Sequence, residues 1–229
     1  MYTLYIANKN YSSWSLRPWI LLREHAIAFD ERLVPFEGSS NRALFRRFSP
    51  SGKVPCLVDG DRVVWDSLAI AEYLAERHPG MWPADPGARA WARCATAEMH
   101  SGFNVLRESC PMNCGLRVRL NTLSDALAQE LQRIGELLCD GIARHGGAFL
   151  AGATFTVVDA FFAPVAFRVQ TYGLALDATA AAYCQRLLAL ASMRHWYEAA
   201  LRETWREPAH ETEALRGGRC LEDLRFPAN

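Results

Sequence analysis

The sequence predicts a two-part fold: a small α/β unit over residues 1–80 and an all-helical bundle over residues 88–229, joined by a linker at 81–87. Three observations predict it. Strand-like runs of β-branched and aromatic residues cluster before residue 66. Residues 78–87 (HPGMWPADPG) hold three prolines and two glycines, a composition that interrupts regular structure. Beyond them no alternating pattern recurs and helical spacing dominates, so the second part is expected to be a bundle. At 229 residues and 50% hydrophobic, the chain can bury a large core and sits where one domain tends to become two.

Residues 2–7 (YTLYIA) read as a buried strand and 8–13 as a polar loop. Ser15 is expected to cap the first helix, with Pro18 in its first turn and Trp19, Leu22 and Ala26 on its apolar face. Residues 29–35 alternate as a second strand, and 41–48 form a short helix. The stretch 51–74, SGKVPCLVDGDRVVWDSLAIAEYL, then reads as a Gly turn, an X-Pro step, a strand, an Asp-Gly hairpin, a second strand, and an Asp66-Ser67 pair opening an apolar helix. The order βαβα followed by ββα gives a mixed sheet with helices on its faces.

In the second part, helices are expected over 88–109, 122–144, from 156 onward, 179–190 and 193–204, with the tail from Glu207 as an extended cover or loose end. Thr156 and Asp159 have capping-box spacing, with Phe155 and Ala160 at the staple positions; this explains both polar residues without a ligand.

Composition narrows the function classes. Lys plus Arg equals Asp plus Glu, 25 each, so no net field draws the chain to nucleic acid or an anionic membrane. The start, MYTLYIANKN, reads as a strand and not as a secretory leader. The most apolar window, 149–167, is broken by Gly152 and Asp159, so it is expected to be a core helix and its entry loop. Seven cysteines at irregular spacing argue against a disulfide framework and for a reducing cytoplasm. Cys110 and Cys114 have no His-rich second pair; they read as ordinary thiols, and no metal is expected.

The chemistry concentrates in 51–74. Val54 precedes Pro55, which pushes it into an extended conformation whose amide and carbonyl can pair with a passing peptide as a sheet edge does. The helix opening at Asp66-Ser67 leaves amide groups without intrahelical partners, which favours a carboxylate. Together they describe a site for a short extended peptide with an acidic end.

Three motifs, SSWSLRPW at 12–19, GKVPCLVDG through DSLAIAEYL at 52–74 and FTVVDA at 155–160, resemble those of the cytosolic glutathione transferases, and their spacing covers nearly the whole chain. The serine cluster is similar to the zeta-class pattern, which includes maleylacetoacetate isomerases. The resemblance implies a thioredoxin-like N-terminal domain, an all-helical C-terminal domain, a homodimer, and glutathione as co-substrate. It implies that Val54 pairs with the cysteinyl part, that Pro55 is cis, that Asp66 and Ser67 take the γ-glutamyl group, and that Lys53 touches the glutathione backbone or glycine carboxylate. Asp66 stands where most relatives carry Glu.

Conjugation needs the thiol as thiolate. A free cysteine thiol titrates near ~8.5, and a shift of about two units requires roughly 2.7 kcal/mol. A hydroxyl donating to the sulfur beside a helix N-terminus supplies such an effect. Ser12 and Ser13 are the candidates: the zeta-type alignment favours Ser12, and counting back from Arg17 favours Ser13. Ser15 is grouped with the glutathione contacts as well as with the cap. Tyr11 is a competing hydroxyl donor, and Arg17 is expected either to anchor the loop through a carboxylate, the reading favoured here, or to steady the anionic ligand. His100, Phe103 and Arg107 are the candidates for the wall of the electrophile pocket, and Tyr73 and Arg77 for a dimer seam. The resulting expectation is a cytoplasmic glutathione S-transferase attacking a small electrophile. The alternatives are a zeta-like isomerase, which Trp14 in place of the usual Cys counts against, a glutathione-dependent peroxidase, and a non-catalytic glutathione-binding module.

Overall fold

The computed structural model describes residues 1–38 and 41–227; Ser39, Ser40, Ala228 and Asn229 lie outside the described residues. Strand β1 (Tyr2–Ile6) lies parallel to β2 (Phe29–Leu33), which requires a crossover, and α1 (Ser13–Glu24) provides it. A one-turn helix α2 (Arg42–Phe45) precedes β3 (Cys56–Asp59) and β4 (Arg62–Trp65), an antiparallel hairpin in which Gly60 adopts the positive φ of +60° that the tight turn requires. The sheet order is β2-β1-β3-β4, and α3 (Ser67–Ala75) follows the hairpin. Leu4 and Ile6 of β1, Leu16 and Ile20 of α1 and Ile70 and Leu74 of α3 are fully buried in one core. This is the expected α/β unit.

Two details near the start differ from expectation. Helix α1 begins at Ser13, and its cap is Ser12, whose hydroxyl accepts the Ser15 amide at 3.4 Å; Ser15 is therefore not the cap. Pro18 accordingly sits inside the helix, where it cannot donate to the Trp14 carbonyl. The segment read as a linker is also packed. Met81 is buried, its carbonyl accepts the Val157 amide at 2.9 Å, and Trp82 is nearly buried.

The second part is built from α4 (Pro86–Ser101), α5 (Asn104–Ser109), α6 (Asp125–His145), α7 (Val157–Tyr172), α8 (Ala178–Ala189), α9 (Ala191–Arg202) and α10 (Pro208–Leu215). The helix expected over 88–109 is two helices. Gly102 is extended and Phe103 has φ +58°, which ends α4 and starts α5 in a new direction. A second departure is a two-stranded ribbon: β5 (Leu116–Leu120) pairs antiparallel with β6 (Gly218–Asp223). The alternation in LRVRL carries that strand, with Leu116 and Val118 buried, and it is too short to stand out against the flanking helices. The tail after Glu207 is thus α10 and a paired strand, not a loose end.

Helix α7 is the central element. It packs against α1, α4, α8 and β5, and nearly every residue is buried, as expected of a helix surrounded by others. Asp159 anchors its start by accepting from the amides of Leu150 (3.0 Å) and Thr156 (2.9 Å) and from the hydroxyls of Thr156 (3.1 Å) and Tyr183 (2.9 Å). Burial pushes the Asp159 carboxyl up to about 6, against the pull of those bonds. Among the described residues no helix is long and apolar enough to cross a membrane.

Candidate functional site

A cleft of about 610 Å³ opens between the hairpin, the start of α3 and the end of α4. Its floor is the 51–67 stretch: Ser51, Lys53, Val54, Pro55, Trp65, Asp66 and Ser67 all line it. The Val54-Pro55 peptide bond is cis. Among the described residues neither the Val54 amide nor its carbonyl finds a hydrogen-bond partner, so both are available to a peptide laid along this edge. Lys53 is exposed at the rim.

At one end the chain turns sharply from β4 into α3. Asp66 adopts φ 73° and ψ 137°, a conformation that costs a non-glycine residue about 1–3 kcal/mol and recurs at ligand sites. Its side chain accepts the Leu68 amide at 2.8 Å and faces His100 Nε2 at 3.6 Å. Ser67 is the first helical residue and is buried, and its hydroxyl accepts from Arg17 Nη1 at 3.4 Å. A helix N-terminus, a buried hydroxyl and a guanidinium converge here on one spot, which suits a carboxylate.

Arg17 is 1% exposed and forms no ion pair with a carboxylate among the described residues, which corrects the expected anchor. Its guanidinium lies 4.2 Å from the Trp14 ring centre and 4.5 Å from that of Phe161, and Nε has no hydrogen-bond partner. Burial, and then the charges of Arg107 and Arg168, push its proton affinity down.

The other end is built differently. None of Ser12, Ser13 and Ser15 lines the cleft; Trp14 does. Ser15 is fully buried, accepting from the Ala7 amide at 3.2 Å and from the Ser12 hydroxyl at 2.7 Å, so it is unavailable to a ligand. Ser12 is thereby committed as both cap and donor. Ser13 accepts from Arg168 Nη2 at 3.4 Å, a bond that leaves its own proton uncommitted among the described residues. Tyr11 donates to Glu211 at 2.6 Å, and burial with that contact raises its hydroxyl far above the ordinary range, which removes it as a competing donor.

The loop carrying these serines is held from the C-terminal side. Glu203 accepts from the amides of Lys9 (2.6 Å) and Asn10 (3.2 Å), and Trp196 Nε1 donates to the Lys9 carbonyl at 2.9 Å. Burial pushes the Glu203 carboxyl up to about 7, although the two amides and Lys9 favour its ionised form.

Of the three expected electrophile-pocket residues, His100 lines the cleft. It stands edge-on to Trp14 at 5.4 Å, and burial outweighs Asp66 in pushing its imidazole below the ordinary range. Phe103 and Arg107 do not line it. The backbone reversal at Gly102 turns Phe103 into the core, and Arg107 donates back to the Gly102 carbonyl at 3.1 Å, stapling the reversal. Sequence reasoning missed Trp14, Arg42, Ser51 and Trp65 as lining residues. Trp65 was readable from alternation on the hairpin, whereas Arg42 follows an irregular connection that carries no periodic signal.

Cys110 and Cys114 are buried, and burial pushes the Cys110 thiol up to about 12 and Cys114 higher, so neither is a thiolate at neutral pH. Among the described residues no cluster of three His, Cys, Asp or Glu side chains is placed to hold a metal.

A four-stranded mixed sheet with an open peptide edge beside a cis proline, backed by a helical domain, is the glutathione transferase fold: a thioredoxin-like N-terminal domain and a helical C-terminal domain. A theta-class glutathione S-transferase from Xanthomonas axonopodis pv. citri, solved with glutathione bound, shares that fold at TM-score 0.64, with 24% identity over 86% of this chain and 96% of that one. Residues 11–77 match the glutathione S-transferase N-terminal domain family. Human glutathione S-transferase theta-1 is 32% identical over 155 residues, 62% of each chain. A probable maleylacetoacetate isomerase of Caenorhabditis elegans is 25% identical over 183 residues, 76% of this chain and 81% of the relative. Residues 11–77 thus form a glutathione S-transferase N-terminal domain, and the chain as a whole has the glutathione transferase fold and is similar in sequence to glutathione transferases.

Proposed function

We propose that the cleft binds glutathione and that Ser13 stabilises its thiolate for attack on a small electrophile. The observation that carries this reading is the convergence of the Val54 edge, the strained Asp66 and the Ser67 hydroxyl on one cleft. The tripeptide's cysteinyl backbone pairs with Val54. Its α-carboxylate meets the α3 N-terminus and Ser67, its ammonium meets Asp66, and Lys53 reaches the glycine end. Its thiol then points toward the first turn of α1. Ser13 is favoured over Ser12 because the Ser12 proton goes to Ser15, whereas a guanidinium donates to the Ser13 oxygen and makes its proton the better donor. The electrophile is proposed to enter beside Trp14 and His100. The domains are proposed to span 1–80 and 88–229, and the chain to act as a cytoplasmic homodimer.

The test is a pair of variants assayed for glutathione affinity by calorimetry and for conjugation to an aryl halide. Ser13→Ala is expected to lower turnover about 10²-fold, the scale of losing one preorganised donor, with affinity within about twofold. Ser12→Ala is expected to act on stability instead, by about 1 kcal/mol for a lost cap. Full turnover in Ser13→Ala overturns the reading; glutathione binding with no conjugation points to a binding module. The similarity to the nematode isomerase favours a second reading, reversible thiolate addition to a cis double bond, tested by following cis to trans conversion of a conjugated enone.

A further inference from the structure

Ser13 receives its hydrogen bond from a residue 155 positions away on the central helix. Arg168 is 4% exposed and fully engaged: Nε donates to the Cys110 carbonyl at 2.9 Å, Nη1 to the Pro164 carbonyl at 3.3 Å and Nη2 to the Ser13 hydroxyl at 3.4 Å. Every partner is neutral. Arg17 and Arg107 likewise form no ion pair with a described carboxylate. A buried guanidinium without a counter-charge costs several kcal/mol. Two such groups, Arg17 and Arg168, with the half-buried Arg107 beside them, call for a compensating role.

The charged and titratable groups in this cluster are as follows. Arg17 comes from α1, Arg107 from α5, Arg168 from α7 and His100 from α4. The acids are already occupied: Asp66 caps α3, Glu130 of α6 accepts the Val105 and Leu106 amides, and Glu203 accepts those of Lys9 and Asn10. Cys110, Cys114 and Tyr172, which also face Arg168, are protonated at neutral pH, because burial pushes each of them up. Those carboxylates are held on other donors and none touches Ser13, whereas the Arg168 guanidinium does, and the helix N-terminus adds to the positive potential at that hydroxyl.

We propose that Arg168 is a positioning residue for glutathione chemistry: it holds the Ser13 oxygen from behind, aims the hydroxyl proton at the sulfur and, with Arg17 and Arg107, supplies the positive field that favours the thiolate. This rests on the Ser13 reading above. It differs from a packing role in moving the ionisation of a ligand that Arg168 does not touch.

The experiment titrates the ultraviolet thiolate absorbance of the protein–glutathione complex against pH in wild type, Arg168→Gln and Arg168→Lys. S-methylglutathione affinity, which has no ionisable thiol, serves as the control for the peptide site. Arg168→Gln is expected to raise the midpoint by about one unit, a tenfold loss of thiolate at fixed pH. Arg168→Lys, which keeps the charge but loses the fork, is expected to raise it by less. S-methylglutathione affinity stays within twofold in both. In a Ser13→Ala background, Arg168→Gln is expected to add only a small part of its shift. An unmoved midpoint in a folded variant overturns the proposal, as does an equal shift with and without Ser13. Should Arg168→Gln fail to fold, the lysine variant decides alone. A wild-type complex whose thiol ionises no lower than free glutathione overturns the Ser13 reading and this one together. A depressed wild-type midpoint that Arg168 variants leave in place overturns this one only.

Discussion

The two ends of the cleft are built by opposite routes. The end proposed for the γ-glutamyl group comes from one contiguous stretch, with Val54, Pro55, Asp66 and Ser67 all within fourteen positions. The end proposed for the sulfur, where Trp14 lines the cleft, is backed by a loop held from afar: Arg168 reaches Ser13 across 155 positions, Glu211 reaches Tyr11 across 200 and Glu203 reaches Lys9 across 194. Local turn chemistry shapes the first; long-range packing shapes the second. The first should therefore respond to mutation mainly in affinity, and the second in stability and turnover.

The largest expected effect tests the assembled end at its root. Asp159→Ala leaves the amides of Leu150 and Thr156 and the Tyr183 hydroxyl buried without their acceptor, at about 1–3 kcal/mol each, so stability is expected to fall by at least ~3 kcal/mol in urea denaturation. Because α7 carries Arg168, the variant should also lose turnover at temperatures where it remains folded. Retention of full stability would mean that α7 is held by its apolar faces alone.

Next comes Glu203→Gln. The amide keeps one acceptor oxygen for two backbone donors, so a loss of about 1–2 kcal/mol and a severalfold fall in turnover are expected, with glutathione affinity unchanged. The pH dependence gives a second readout. The folded carboxyl titrates at about 7, well above the unfolded value of roughly 4.3, so between those values the folded state holds a proton that the unfolded state has shed. This group's contribution to stability is full below roughly pH 4.3 and is lost as pH rises toward 7. Asp159, raised to about 6, acts in the same sense over the lower part of the range. The wild type is therefore expected to lose stability as pH rises from about 5 to 7, and Glu203→Gln to remove up to ~1.4 kcal/mol per pH unit of that slope. Parallel slopes in the two proteins would contradict the assignment.

The smallest effect sharpens the contiguous end. Asp66→Gly relieves the positive φ but removes the Leu68 cap and the carboxylate, so stability should change little while glutathione affinity falls about tenfold, or ~1.4 kcal/mol. An unchanged affinity with reduced turnover would reverse the contrast between the two ends.

The same contrast explains what was legible in the sequence. The order of strands and helices through residue 75, the extended Val54 before Pro55, the Asp66-Ser67 step and the Thr156-Asp159 anchor rest on neighbours in the chain, and each shows in the letters; the cis state of Pro55 was implied by the family resemblance alone. Which serine keeps a free proton depends on Arg168 and on the burial of Ser15, neither of which local spacing encodes. The helix break at Gly102 was misread because one glycine inside an apolar helical pattern signals either a kink or merely a close contact. The β5–β6 ribbon was missed because its strands lie about a hundred residues apart.

Glu203 and Glu211 also set an order on biosynthesis. At translation speeds of ~5–20 residues per second, the ribosome works for roughly 10–40 s after making Lys9 before it reaches Glu203. Throughout that interval the nascent polypeptide can fold its sheet and its peptide-binding edge, yet the turn preceding α1 lacks its clamp. A newborn molecule would thus complete the Val54–Ser67 edge before the turn that carries the serines is fixed.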